Sequence, residues 1–339
     1  MTSENRIQFI DLAKGICITL VVLFHIFRAS LIGRSHDEVP IMSFFLDDIL
    51  LSFMMPFYFF LSGLFYKQYS GKYTFIIKRI NKLLIPFISM FIITIVIRNL
   101  IEYAISPNYD LGTLKNDIIG LRPNTPLWFL LCLFNLNILF YLFDKMISNK
   151  IILYIAIFLL CFLGFYLKRN GISDHFYLIS AFTYTPFYLC GLWIRKKTTI
   201  LSHLFNHRDR LLLITSFIIL FANTYFYGTK YYNGHFIIIN VLNWIIGGIS
   251  GSFCMILIAK YFNHLPLISY IGRYTIVVLC THLLVIRIIY HIWPLLPPIP
   301  LAAKLFIELI VVLLISVPII RFCIRYMPYS FAQKDVIKY

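Results

Sequence analysis

The chain carries ten apolar runs of about 17 to 25 residues, each bounded by charge, Pro or Asn. That is the length a helix needs to cross the hydrocarbon core of a bilayer. Spans are expected at 7–28, 44–66, 83–104, 126–146, 151–167, 176–195, 210–228, 236–260, 267–290 and 303–325. In lipid every backbone N–H and C=O must be satisfied within the protein, and runs of this length satisfy them as helices. The expected fold class is therefore an all-α integral membrane protein, a polytopic bundle of about ten transmembrane helices. It forms one domain over residues 1–339, with no soluble domain. Composition agrees: 13% of residues are charged, against about a quarter in soluble proteins. The longest connection, 105–125, reads as a loop from its Pro, Asn, Asp and Gly.

The formal net charge of +16 does not point to nucleic acid. In a membrane protein, Lys and Arg gather in cytoplasmic loops and set orientation. Of the 30 Lys and Arg, most fall on the side of the amino terminus, so both termini are expected in the cytoplasm. The first run is too long for a signal-peptide core and no small-residue cleavage site follows it. The seven cysteines stand singly within apolar runs. They form no CxxC and no Cys/His cluster, so neither a disulfide nor a metal site is expected.

The first run, AKGICITLVVLFH, holds two ionisable side chains. At 100° per residue, Lys14 and His25 lie within about 20° of each other, roughly 16 Å apart along the axis. Asp11 is three residues before Lys14 and can pair with it. One stripe thus reads Asp11, Lys14, Ile18, Val22, His25. Lys14 and Asp11 alone would fit a headgroup boundary, and His25 alone an interhelical hydrogen bond. Together they trace a polar path through the bundle with an imidazole towards its far end. A neutral imidazole takes and returns a proton near physiological pH.

Five stretches resemble membrane acyltransferase family 3, the O-acyltransferases of bacterial surface glycans. RIQFIDLAKGICITLVVLFH (Arg6 to His25) resembles its first helix, where a basic residue precedes a histidine by the spacing of Lys14 and His25. Asp11, Lys14, Gly15 and Ile16 resemble the D-x-x-K-G-I of the fucose 4-O-acetylase-like subgroup. MPFYFFLSGLFYK (Met55 to Lys67), KRINKLLIPF (Lys78 to Phe87), PLWFLLCLF (Pro126 to Phe134) and YIGRYTIVVLCTHLLVI (Tyr270 to Ile286) resemble later segments in order. One departure stands out. Many members carry a glutamate after the tryptophan element, and LWFLLCLFNLN has none.

The resemblance implies a multi-pass protein of the bacterial inner membrane. It implies acetyl-CoA as cytoplasmic donor, no metal, and a sugar hydroxyl of a surface polysaccharide or its lipid-linked precursor as acceptor. Within that reading His25 is the general base or the acetyl carrier, and Ser62 an oxyanion donor or nucleophile. Lys14, Arg79, Lys82 and Arg273, with Lys78, are cations suited to the phosphates of coenzyme A. Lys196 and Lys197 read as topological. Trp128 and His282 are candidates for the acceptor, and Asp11 for holding Lys14 charged. Asn135, Asn137, Asn240 and Asn243 can line a polar interior. Asp11 lies roughly 21 Å along the axis from His25, so a triad confined to this helix is excluded. The competing reading is a transporter or flippase of a glycan or lipid-linked precursor. Transporters often carry repeats or paired broken helices, and the sequence shows no second Lys–His stripe. Binding of acetyl-CoA separates the two.

Overall fold

The computed structural model describes residues 7–31, 38–67, 71–105, 125–195, 205–227, 236–293, 297 and 299–338. Every regular element among them is helical. In chain order these are α1 (Gln8–Ser30), α2 (Pro40–Leu64), α3 (Lys72–Ala104), α4 (Trp128–Met146), α5 (Lys150–Arg169), α6 (Leu178–Arg195), α7 (His207–Phe226), α8 (Ile237–Phe262), α9 (Pro266–Arg273), α10 (Thr275–Ile292) and α11 (Leu301–Tyr326). Nine of them, all but α6 and α9, are long and apolar enough to cross a membrane.

The expected spans and the observed helices differ in three places. The sixth span is the helix α6, but Thr, Tyr and Pro lower its hydropathy, and it packs between α2 and α5. The ninth span divides. Tyr274, at φ −114° and ψ 33°, separates α9 from α10. The third begins at Lys72 rather than at 83, because a basic amphipathic segment continues the helix outward. Lys78, Arg79 and Lys82 therefore lie inside a helix rather than in front of one. Most of the 105–125 loop, with Lys196 and Lys197, lies outside the described residues. Two helices carry π-helical turns, Phe44–Ile49 in α2 and Ile80–Leu84 in α3. Such turns re-aim side chains and recur at functional sites.

α1 is the axis of the bundle. It touches α2, α8, α9, α10 and α11 and buries 61% of its span, where peripheral α5 and α7 bury 22%. Glycine makes its closest contact possible. A Cβ at Gly272 would stand 1.8 Å from the Asp11 carbonyl oxygen, and one at Gly15 would stand 2.0 Å from that of Ile268. Small residues of this kind let helix backbones touch in a membrane. The contact fixes α9 beside the Asp11–Lys14 turn. Gly63 and Gly191 join α2 to α6 in the same way.

The carboxyl-terminal residues return to α3. Val336 and Ile337 each donate a backbone N–H to Asn81 Oδ1 at 3.0 Å, and Asn81 Nδ2 donates to the Ile337 carbonyl at 2.8 Å. Lys260 of α8 is fully buried against Asp209 of α7, Nζ to Oδ2 2.8 Å. A buried lysine needs such a partner.

Candidate active site

The residues of the α1 stripe build two different places. At the far end, the rings of His25 and His282 stand with centroids 5.2 Å apart, tilted by 46°. His25 is partly buried and His282 wholly so. His282 Nδ1 lies 2.7 Å from the Val278 carbonyl one turn earlier on α10. A carbonyl only accepts, so Nδ1 carries the hydrogen and Nε2 of the neutral ring is a bare acceptor. That Nε2 is buried with no hydrogen-bond partner among the described residues. A buried polar atom left unsatisfied costs about 1–3 kcal/mol, a cost that marks a group kept for something other than stability.

Among the described residues no carboxylate forms an ion pair with His25; the titratable side chain brought to it is a second imidazole. The carboxylates nearby serve arginines. Arg28, one turn beyond His25, pairs with Asp47 of the first π-helical turn, Nε to Oδ1 2.9 Å. Arg287, beyond His282, pairs with Glu102 of α3. Two ion pairs thus flank the imidazoles towards the ends of α1 and α10. The sequence reading missed Asp47 and Glu102. The signal was there, since an acid inside an apolar run asks for a partner.

At the near end, the Lys14 carbonyl accepts from the Tyr58 hydroxyl at 3.2 Å, and Lys14 Nζ sits 5.7 Å from the Phe65 ring centroid. Phe65 and Tyr66 form the exit of α2. The Arg79 guanidinium lies over Phe75 and Tyr66, at 5.1 and 5.8 Å from the centroids. Arg195 donates to the Tyr66 carbonyl. Lys14 and two arginines therefore converge on one turn of chain. Two donors here are buried without a hydrogen bond among the described residues, the Tyr66 hydroxyl and Arg79 Nε. Burial first, and Asp144 next, push the Tyr66 hydroxyl up to about 12, so it stays protonated and remains a donor. Donors without acceptors in a basic setting fit an anion such as phosphate. Tyr66 was not anticipated from sequence.

The remaining candidates separate from these two places. Ser62 donates to the Tyr58 carbonyl at 2.9 Å. It lies one turn past Tyr58, at the Lys14 end, so the roughly 16 Å rise of α1 parts it from His25. Lys82 donates to the Ala332 carbonyl at 2.7 Å and pairs with Asp335 at 3.2 Å. The carboxyl-terminal segment thus occupies it. Arg273 follows Gly272 beside Asp11; it is exposed and lies over Tyr274. Trp128 joins Phe59, Tyr177 and Tyr184 in an aromatic cluster and makes no ring contact with either imidazole. Asn137 is consumed by Tyr188, whose hydroxyl donates to its Oδ1 at 2.9 Å.

A family model for the acyltransferase domain of the acyltransferase 3 type matches residues 7–321. The chain belongs to that family. The match runs from the start of α1 into α11 and takes in both imidazoles and the Lys14–Arg79 cluster. It is thus a membrane acyltransferase. Among curated proteins and among solved structures, nothing matches the chain.

Proposed function

We propose that this membrane acyltransferase is an O-acetyltransferase, moving acetyl from acetyl-CoA to a sugar hydroxyl of a surface polysaccharide or its lipid-linked precursor. The observation that carries the reading is the His25–His282 pair, with its bare Nε2, at one end of a helix whose other end gathers cations. The coenzyme's phosphates bind at Lys14, Arg79 and the Tyr66 hydroxyl, on the cytoplasmic side. Its pantetheine arm reaches from that end towards His25 and brings the thioester to it.

His25 takes the proton of the acceptor hydroxyl as that oxygen attacks the acetyl carbonyl. The tetrahedral intermediate collapses, the C–S bond breaks, and the thiolate recovers the proton from His25. His282 Nε2 receives the other ring N–H of His25. It holds the tautomer and shares the positive charge while His25 is protonated, the place a carboxylate takes in a triad. Contacts of this kind tighten when substrate binds. This accounts for the missing glutamate after Trp128: the orienting acceptor is on α10 instead. Lys82 and Ser62 have no part in the step.

The test is equilibrium binding of acetyl-CoA to the purified full chain. Wild type binds, and Arg79→Ala weakens binding at least about tenfold, the loss of one charge-assisted contact. A wild-type protein that does not bind acetyl-CoA overturns the reading and favours transport.

A further inference from the structure

Two cavities meet on the flank of the bundle. One is a cleft of about 410 Å³ between α5, α6 and α8, lined by side chains such as Ile157, Phe158, Pro186, Ile245 and Ile249. The other, about 600 Å³, lies at the Lys150 end of α5 and takes in Tyr66, Asp144, Lys150 and Arg195. Tyr154, Leu189 and Trp193 line both. The two are therefore one groove, apolar along its depth and charged at its mouth.

We infer that this groove holds one anionic phospholipid of the surrounding bilayer, an acyl chain in the cleft and the phosphate at Lys150. Three observations argue for that occupant. The apolar part runs along membrane-crossing helices, and α5 is among the least buried of them, so what reaches it is hydrocarbon. Tyr154 and Trp193, 45% and 49% exposed, stand where the apolar lining gives way to charge, the level at which such rings meet headgroups. Lys150 is exposed at the first turn of α5, where the positive end of the helix dipole adds to its charge. Basic pockets between membrane helices take anionic headgroups. Asp144 on the opposite wall opposes the phosphate, so it sets a limit on affinity that its removal lifts.

Tyr66 and Arg195 of the mouth also belong to the proposed acetyl-CoA site, so lipid binding is read in the absence of acetyl-CoA, and Trp193 supplies the probe. The full chain is reconstituted in phosphatidylcholine with a small fraction of lipid brominated on its acyl chains, carried by either phosphatidylglycerol or phosphatidylcholine. The Trp193 signal is the difference between wild type and Trp193→Phe. Brominated phosphatidylglycerol is expected to quench Trp193 at about fivefold lower mole fraction than brominated phosphatidylcholine, the preference one lysine near a membrane gives. Lys150→Gln, at an exposed position, removes that preference, and Asp144→Asn increases it. Glycerol phosphate without chains does not protect Trp193. Equal quenching by both lipids, or a preference unchanged in Lys150→Gln, overturns the site. Protection by glycerol phosphate alone also overturns it, in favour of a soluble anion.

Discussion

The two ends of α1 solve opposite problems with the same kind of residue. At the Lys14 end the charges are permanent and kept at the edge of the bundle: Lys14 over Phe65, Arg79 over Tyr66, Arg195 on the Tyr66 carbonyl. At the His25 end the paired groups are imidazoles, His282 wholly buried, and the permanent charges of Arg28 and Arg287 are held in ion pairs beyond them. A permanent charge held as deep as His282 would be expensive, whereas a neutral ring pays only when it takes a proton. The difference teaches that the stripe is not one polar path of equivalent groups. On the proposed function it joins an anion-binding end to a proton-transferring end, and substitutions at each should move different kinetic constants.

His282→Phe should have the largest effect short of removing His25. It keeps a ring and deletes the bare Nε2. Turnover should fall about 10²-fold, the lower range for general acid–base groups, with acetyl-CoA affinity unchanged. Because the buried Nε2 is unsatisfied, thermal stability should hold or rise. Lost stability with turnover unchanged would return His282 to a packing role and erase the contrast between the ends. Lys14→Ala should act on the other constant, raising KM for acetyl-CoA about tenfold while KM for the acceptor stays level. Equal change in both would mean that Lys14 does not belong to the donor end. The smallest effect belongs to Lys82→Ala. Its partners are Asp335 and the Ala332 carbonyl, an exposed ion pair contributing at most about 1 kcal/mol. Donor KM should stay within about twofold, and a large rise would restore Lys82 to the donor site.

Much of this was legible in the sequence. Ten apolar runs foretold a polytopic helical bundle, and nine helices among the described residues are long and apolar enough to cross a bilayer, because length and hydropathy are what a bilayer selects. The Lys14–His25 register was legible because helical periodicity fixes the angle between two residues on one helix. What joins one helix to another was not. That His282 faces His25 depends on how α10 packs against α1, which no periodicity reveals. Tyr66 reads as the aromatic end of a span, and only burial of its hydroxyl makes it a candidate. The start of α3 at Lys72 was missed because a charged amphipathic segment lacks the continuous apolar signal of a span. The contacts of Lys82 were illegible for a related reason: they come from the far end of the chain, more than 200 residues away.

The central claim is that His25 transfers the proton in an acetyl transfer. The most direct measurement follows label from radioactive acetyl-CoA into lipid-linked or surface glycan, in membranes holding equal amounts of wild type or His25→Ala. The account predicts label in glycan with wild type and none above background with His25→Ala. Equal labelling by the two would contradict it, leaving the paired imidazoles without a role in the chemistry.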